Sequence, residues 1–196
     1  MSTALILAGG FGTRMGELTK TVPKPMITIK GRTILDHIIS RLLLHGVNKI
    51  IVNVSYKSEV ITDYYNGEVI YYYVPKLLGH FGTIKALRVW LENDDFFVIN
   101  GDTMTNVDYK DMIHNHRHGT ITSLMDGEWR AGGTWLYCND YFRLKELDVV
   151  PYRPQGIEFF DIGDPSKLAK AREYYGEQTT DHVSGMPTTG TKRNTR

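Results

Sequence analysis

A chain of 196 residues, 41% of them hydrophobic, is long enough to close one α/β domain around its own core. The formal net charge is +1, with 23 Lys and Arg against 22 Asp and Glu, so no global field recruits nucleic acid or an anionic membrane. A single cysteine excludes an internal disulfide, and no stretch reads as a signal peptide or a bilayer span, so a soluble cytoplasmic protein is expected.

The apolar run Leu5-Ile6-Leu7-Ala8 reads as a buried strand that stops at Gly9 and Gly10. Glycine there permits left-handed backbone angles and a close approach of N–H groups to phosphate oxygens. Gly12, Thr13 and Arg14 follow, and Arg14 adds a fixed fork of donors. Lys24 stands between Pro23 and Pro25, a point charge on stiffened backbone. The dinucleotide fingerprint is excluded, because the glycine after Gly12 is Gly16. The phosphate loop of nucleoside triphosphatases is excluded too, because no Gly-Lys-Ser or Gly-Lys-Thr occurs. Three glycines alone equally suit an ordinary strand-end turn.

Thr33 to His45 has helical spacing, with Thr33 as N-cap and Gly46 as stop. Lys49 to Val54 reads as a central strand, Ser58 to Tyr65 as a short helix, and Val69 to Val74 as a third strand. The spacing predicts a helix from Gly82 to Leu91 and a strand from Asp95 to Asn100 that ends on Gly101-Asp102. Strand and helix alternating in this way define a doubly wound, mostly parallel sheet, whose ligands lie beyond the carboxyl ends of strands. Asp108 to His118 reads as a polar surface helix, and Thr120–Met125 and Thr134–Cys138 as strands joined by a short loop. A helical turn over Phe142–Leu147, a strand over Gly156–Asp161 and a helix over Pro165–Tyr175 complete the domain. From Gly176 onward the composition is that of a disordered tail.

Asp102 and Asp161 are both acids that end apolar strands beside glycine. Each reads either as a turn aspartate or as half of a shared magnesium site next to bound phosphates. His114 and His118 are four apart but lack a clustered acid or cysteine, so a solvated helix end is expected. Cys138 reads as a buried packing residue, and Tyr71, Tyr72 and Tyr73 as strand packing.

Together, GGFGTR, Pro23-Lys24-Pro25, Asn100-Gly101-Asp102 and Phe160-Asp161-Ile162-Gly163-Asp164-Pro165 resemble the sugar-1-phosphate nucleotidylyltransferase family, nearest in look to guanylyltransferases for mannose or heptose 1-phosphate. The likeness runs from about Thr3 to Tyr175 and implies one domain over residues 1–175 with a Rossmann-like, GT-A-like fold. It implies transfer of a nucleoside monophosphate from an NTP, GTP by preference, to a sugar 1-phosphate. Other readings keep CTP, UTP or dTTP with another phosphorylated acceptor, or a non-catalytic nucleotide-binding subunit, and leave room for a homo-oligomer. Under the resemblance Arg14 holds the β- and γ-phosphates, Lys24 the α-phosphate, and Asp102 with Asp161 holds Mg²⁺. Leu7, Ala8, Gly9, Gly10, Gly12, Thr13, Gly79 and Asp102 meet the nucleotide. Leu78 to Thr83 resembles the family's turn near the base, with His80 and Phe81 as departures. Relatives carry a Glu-Lys hairpin for the acceptor phosphate, which is missing between Met125 and Gly132. Gly133 is then expected at the sugar. Arg130, a solvated loop residue or a substitute for that lysine, is the one Arg or Lys in the loop.

Overall fold

In the computed structural model the described residues are 2–74, 76–126 and 130–176, with the side chains of 130 and 131 excepted. β1 (Thr3–Leu7) carries the fold, because its alternate residues enter two different cores. Ala4 and Ile6 face α1 (Ile34–Leu44), whose Ile34, Leu35 and Ile38 are buried with them. Leu5 faces the other way, with Ile84, Leu87 and Leu91. These come from α3 (Gly79–Ala86), α4 (Arg88–Leu91) and the joint between them. A strand buried on both faces has no polar side, which is why the sequence reads as a continuous apolar run.

β1 pairs in parallel with β4 (Lys49–Val54) and β6 (Phe96–Asn100), and β4 in parallel with β5 (Ile70–Tyr73). On the other flank, β9 (Arg130–Tyr137) runs antiparallel to β6 and to β8 (Thr120–Asp126), and β10 (Asp148–Tyr152) closes that edge in parallel with β8. The seven-stranded order is β10-β8-β9-β6-β1-β4-β5. The expected doubly wound, mostly parallel sheet is therefore present. Two short strands, β7 (Thr103–Thr105) and β11 (Phe159–Asp161), form a separate antiparallel pair that sets Asp161 opposite Thr103.

Local chemistry fixes several ends. Thr33 caps α1 through a reciprocal box, its hydroxyl accepting from the Asp36 N–H at 2.9 Å while its own N–H donates to the Asp36 carboxylate at 3.2 Å. α2 (Ser58–Tyr65) keeps its expected bounds. α6 (Pro165–Tyr174) starts on proline and is capped by Asp164, which accepts from the Ser166 and Lys167 N–H groups.

Some elements depart from expectation. The helix expected over 82–91 begins at Gly79 and breaks at Leu87 into α3 and α4. The helix expected over 108–118 is α5 (Tyr109–His114), and Tyr109 and Met112 bury one side of it, so it is not polar throughout. The helical turn lies at Asn139–Phe142, ahead of its expected place. β10 has no strand signal in the sequence because it contains Pro151; an edge strand tolerates the missing donor. His118 meets Asp140 at 3.0 Å, an acid that only the fold brings there. No group of three or more metal-ligating side chains forms among the described residues, and no helix there is long and apolar enough to cross a membrane. Cys138 is fully buried, as expected. Of the tail expected from Gly176 onward, residues 177–196 lie outside the described residues.

Candidate active site

The glycine loop leaves β1 between its two parallel neighbours. Ala8 donates its N–H to Asn53 Oδ1 at 2.8 Å, and Gly101 donates its N–H to the Leu7 carbonyl at 2.9 Å. The loop is thus tied to β4 on one side and to the end of β6 on the other. Asn53 is a polar residue in a buried strand, and that anomaly in KIIVNV is the signal that marks it. A Cβ at Gly9 would come within 3.1 Å of Asn53 Nδ2, and one at Gly101 within 2.8 Å of the Leu7 carbonyl. Close approach is what these two glycines permit.

Left-handed backbone occurs instead at Gly12, with φ of 64°, and at Gly16. This corrects the expectation that the Gly9-Gly10 pair takes those angles. Beyond Gly12 the chain winds as a 3₁₀ helix, Thr13–Thr19, which places Arg14 at the rim. The Thr19 hydroxyl donates to the Gly12 carbonyl at 3.0 Å, and Tyr56 donates to the Thr19 carbonyl at 2.9 Å, so the loop is braced from below.

The resulting cleft measures about 330 Å³. Leu7, Ala8, Gly10, Gly12, Thr13, Arg14, Lys24 and Asp102, all singled out in the sequence, line it. Pro25, Asn100, Gly101 and Gly163 join them. Gly9 lies beneath the loop against Asn53 and Ser55 rather than on the lining. Gly79 stands at the start of α3 with φ of 67°, outside the lining. Asp161, paired with Thr103, and Gly133, on β9, are not among the lining residues, and Arg130 opens β9 opposite Asp126.

Charge is distributed unevenly here. Arg14 makes no hydrogen bond or ion pair among the described residues, and its guanidinium passes beside Gly163. Lys24 is almost fully buried and forms an ion pair with Asp102. The Ile162 N–H donates to the Asp102 carbonyl at 2.9 Å, which joins the two aspartate-bearing segments directly. Lys167 Nζ stands 2.7 Å from Asp161 Oδ2. The sequence reading misses this lysine; its signal is a cation in the first turn of the helix that follows Asp161.

Magnesium takes oxygen ligands, commonly one or two carboxylates completed by substrate phosphates and water. Asp102 and Asp161 supply two carboxylates on adjoining segments, and no third acid joins them among the described residues. That donor set fits an ion that shares its remaining positions with a nucleotide.

A glycine loop at the end of a central parallel strand, with a rim guanidinium, a buried ammonium and a strand-end carboxylate on one cleft, defines an α/β protein of the phosphate-handling class. The chain belongs to the nucleotidyl transferase family, whose profile matches residues 3–127. Over 110 residues it is 37% identical to D-glycero-alpha-D-manno-heptose 1-phosphate guanylyltransferase of Campylobacter jejuni, covering 54% of this chain and 49% of that protein. It is 30% identical over 162 residues to UTP--glucose-1-phosphate uridylyltransferase AglF of Haloferax volcanii, covering 77% of this chain and 66% of that protein. The chain thus spans about half to two thirds of these curated relatives. Among solved structures, HddC from Yersinia pseudotuberculosis complexed with GMP-PN superposes with a TM-score of 0.74 at 25% identity, over 89% of this chain and 100% of that one.

Proposed function

We propose that this protein transfers a nucleoside monophosphate from an NTP, GTP by preference, to a mannose- or heptose-type sugar 1-phosphate, releasing pyrophosphate and an NDP-sugar. The observation that carries the reading is the convergence of Arg14, Lys24 and Asp102 on one cleft at the ends of β1 and β6. Relatives named for heptose 1-phosphate guanylyl transfer and for uridylyl transfer support this class of reaction.

The acceptor already carries an anionic oxygen, so attack on the α-phosphorus needs no general base. What the reaction demands is neutralisation of charge that spreads over the transferring phosphoryl group. Lys24 is held in place by burial and by its flanking prolines, so its ammonium meets the α-phosphate without reorganisation. Arg14 carries a forked donor set suited to the β- and γ-phosphates as they depart together. The backbone of Gly10 and Gly12 lines the same cleft and admits the nucleotide closely. Asp102 and Asp161 would hold Mg²⁺, which when bound supplies positive charge to the phosphates. The catalytic domain is assigned to residues 1–175 and the protein to the cytoplasm, where NTPs and sugar phosphates are available.

The test is incubation of the purified protein with Mg²⁺, each NTP and a panel of sugar 1-phosphates. Pyrophosphate release and the NDP-sugar, identified by mass, are the readouts. Release with GTP and mannose or heptose 1-phosphate supports the reading. Nucleotide binding without pyrophosphate from any pair overturns it.

A further inference from the structure

We propose that Lys167 binds the phosphate of the acceptor; the inference rests on the transferase reading above. Only Gly127, Glu128 and Trp129 separate β8 from β9 in the sequence, and none is a lysine, so the cation assigned to the acceptor's phosphate comes from elsewhere in the fold. Gly133 lies on the strand expected at the sugar. A Cβ built on it would come within 2.7 Å of the Thr103 hydroxyl, so β9 and β7 touch there. Thr103 is the register partner of Asp161, and Lys167 Nζ stands 2.7 Å from that aspartate. Four residues from β9, β7, β11 and α6 thus form one continuous row that ends in an ammonium group.

Lys167 is built to exchange partners. Its backbone N–H is fixed by the Asp164 cap at 3.1 Å, while the side chain is 36% exposed and ends in a point charge on a flexible stem. Lysine–carboxylate pairs this open to water are held weakly, and a phosphate dianion is a stronger partner than one carboxylate. Two arginines are committed to carbonyls: Arg41 to Val107 and Asn106, Arg172 to Thr28. Arg14 and Lys24 belong to the nucleotide's phosphates under the reading above. Arg130 begins β9 three residues before Gly133, roughly 10 Å along the strand.

The experiment compares the wild-type chain with Lys167→Met, Lys167→Arg and Arg130→Met. Isothermal titration uses mannose 1-phosphate and inorganic phosphate as probes, with GTP as control, and steady-state kinetics runs in parallel. Lys167→Met is expected to weaken mannose 1-phosphate binding and raise its KM about 10-fold, leaving GTP within about 2-fold. Lys167→Arg, which keeps the charge, is expected to retain most of the affinity. Unchanged acceptor binding in Lys167→Met overturns the proposal. So do equal losses for GTP and acceptor, a 10-fold loss in Arg130→Met instead, or no binding of either probe by the wild type. Should the wild type release no pyrophosphate while Lys167→Met still loses phosphate binding, the transferase reading falls and the phosphate site stands.

Discussion

Lys24 and Arg14 stand at opposite extremes of exposure, and each suits its assigned task. A buried ammonium beside Asp102 is positioned before any substrate arrives, whereas a rim guanidinium can close on the leaving phosphates. Lys24→Ala and Arg14→Ala are each expected to lower kcat/KM for the nucleotide about 10²-fold, with the fold intact by circular dichroism. A near-normal value in either variant would remove that residue from the transfer step. Gly133 supplies a prediction of a different kind. Its φ of 68° is left-handed, and an added Cβ would stand 2.7 Å from Thr103 Oγ1 and 3.0 Å from Asn100 Nδ2. Gly133→Ala therefore combines backbone strain with a collision between β9 and β7, costing about 1–3 kcal/mol. Urea denaturation checks this, and a loss below about 0.5 kcal/mol would show that the strand pair yields freely.

At the scale of elements, legibility followed burial. β1, β4 and β6 are apolar on both faces, and their sequences announce them; α1 adds a capping box that the Thr33 signal locates. α5 reads as polar throughout in the sequence because its two buried residues, Tyr109 and Met112, are outnumbered by polar ones. β10 was invisible because Pro151 argues against a strand everywhere except at an edge. The glycine loop, Arg14, Lys24 and Asp102 stand out in the sequence through local motifs, but spacing alone leaves a strand-end turn equally open, and the family resemblance is what separates the two readings. Asn53 and Lys167 carry weaker local signals, a polar residue in a buried strand and a cation in a helix's first turn, and their partners are set by the fold: Asn53 meets Ala8 across 45 residues, and Lys167 meets Asp161. Two histidines give this scale its own prediction. His80, at the start of α3, bonds the Tyr137 hydroxyl at 2.8 Å, and His116, after α5, bonds the Thr122 hydroxyl at 2.7 Å. Burial pushes both imidazoles below the ordinary value of 6.5. The unfolded chain then binds protons more readily than the folded one, so this contribution is fully present above pH 6.5 and drains away as pH falls below it. The melting temperature should decline between pH 7 and pH 5, and His80→Gln with His116→Gln should flatten that slope. An unchanged slope in the double variant would assign the decline to other groups.

For the molecule as a whole, the candidate site lies where the seven-stranded sheet meets the small β7–β11 pair. The glycine loop and Arg14 follow the carboxyl end of β1 in the large sheet and Lys24 lines the same cleft, while Asp102 precedes β7 and Asp161 ends β11 in the small pair. A nucleotide with Mg²⁺ would bridge the two, and a ligand that binds only the folded state stabilises it by mass action. At GTP about 100-fold above its Kd this amounts to about 2.7 kcal/mol, or roughly 5–10 °C in Tm for a chain of this size. Part of that gain should depend on Mg²⁺, because magnesium favours carboxylate and phosphate oxygens together. Asp102→Asn and Asp161→Asn each remove one anionic ligand while keeping size and shape. Both variants are expected to retain the shift from GTP alone and to lose the increment that Mg²⁺ adds. Mg²⁺-dependent pyrophosphate release should be abolished in both. Melting curves with GTP alone, Mg²⁺ alone and the two combined separate these effects without relying on turnover. A full Mg²⁺ increment in Asp161→Asn would take that residue out of the metal site and leave Asp102 as the carboxylate that serves it.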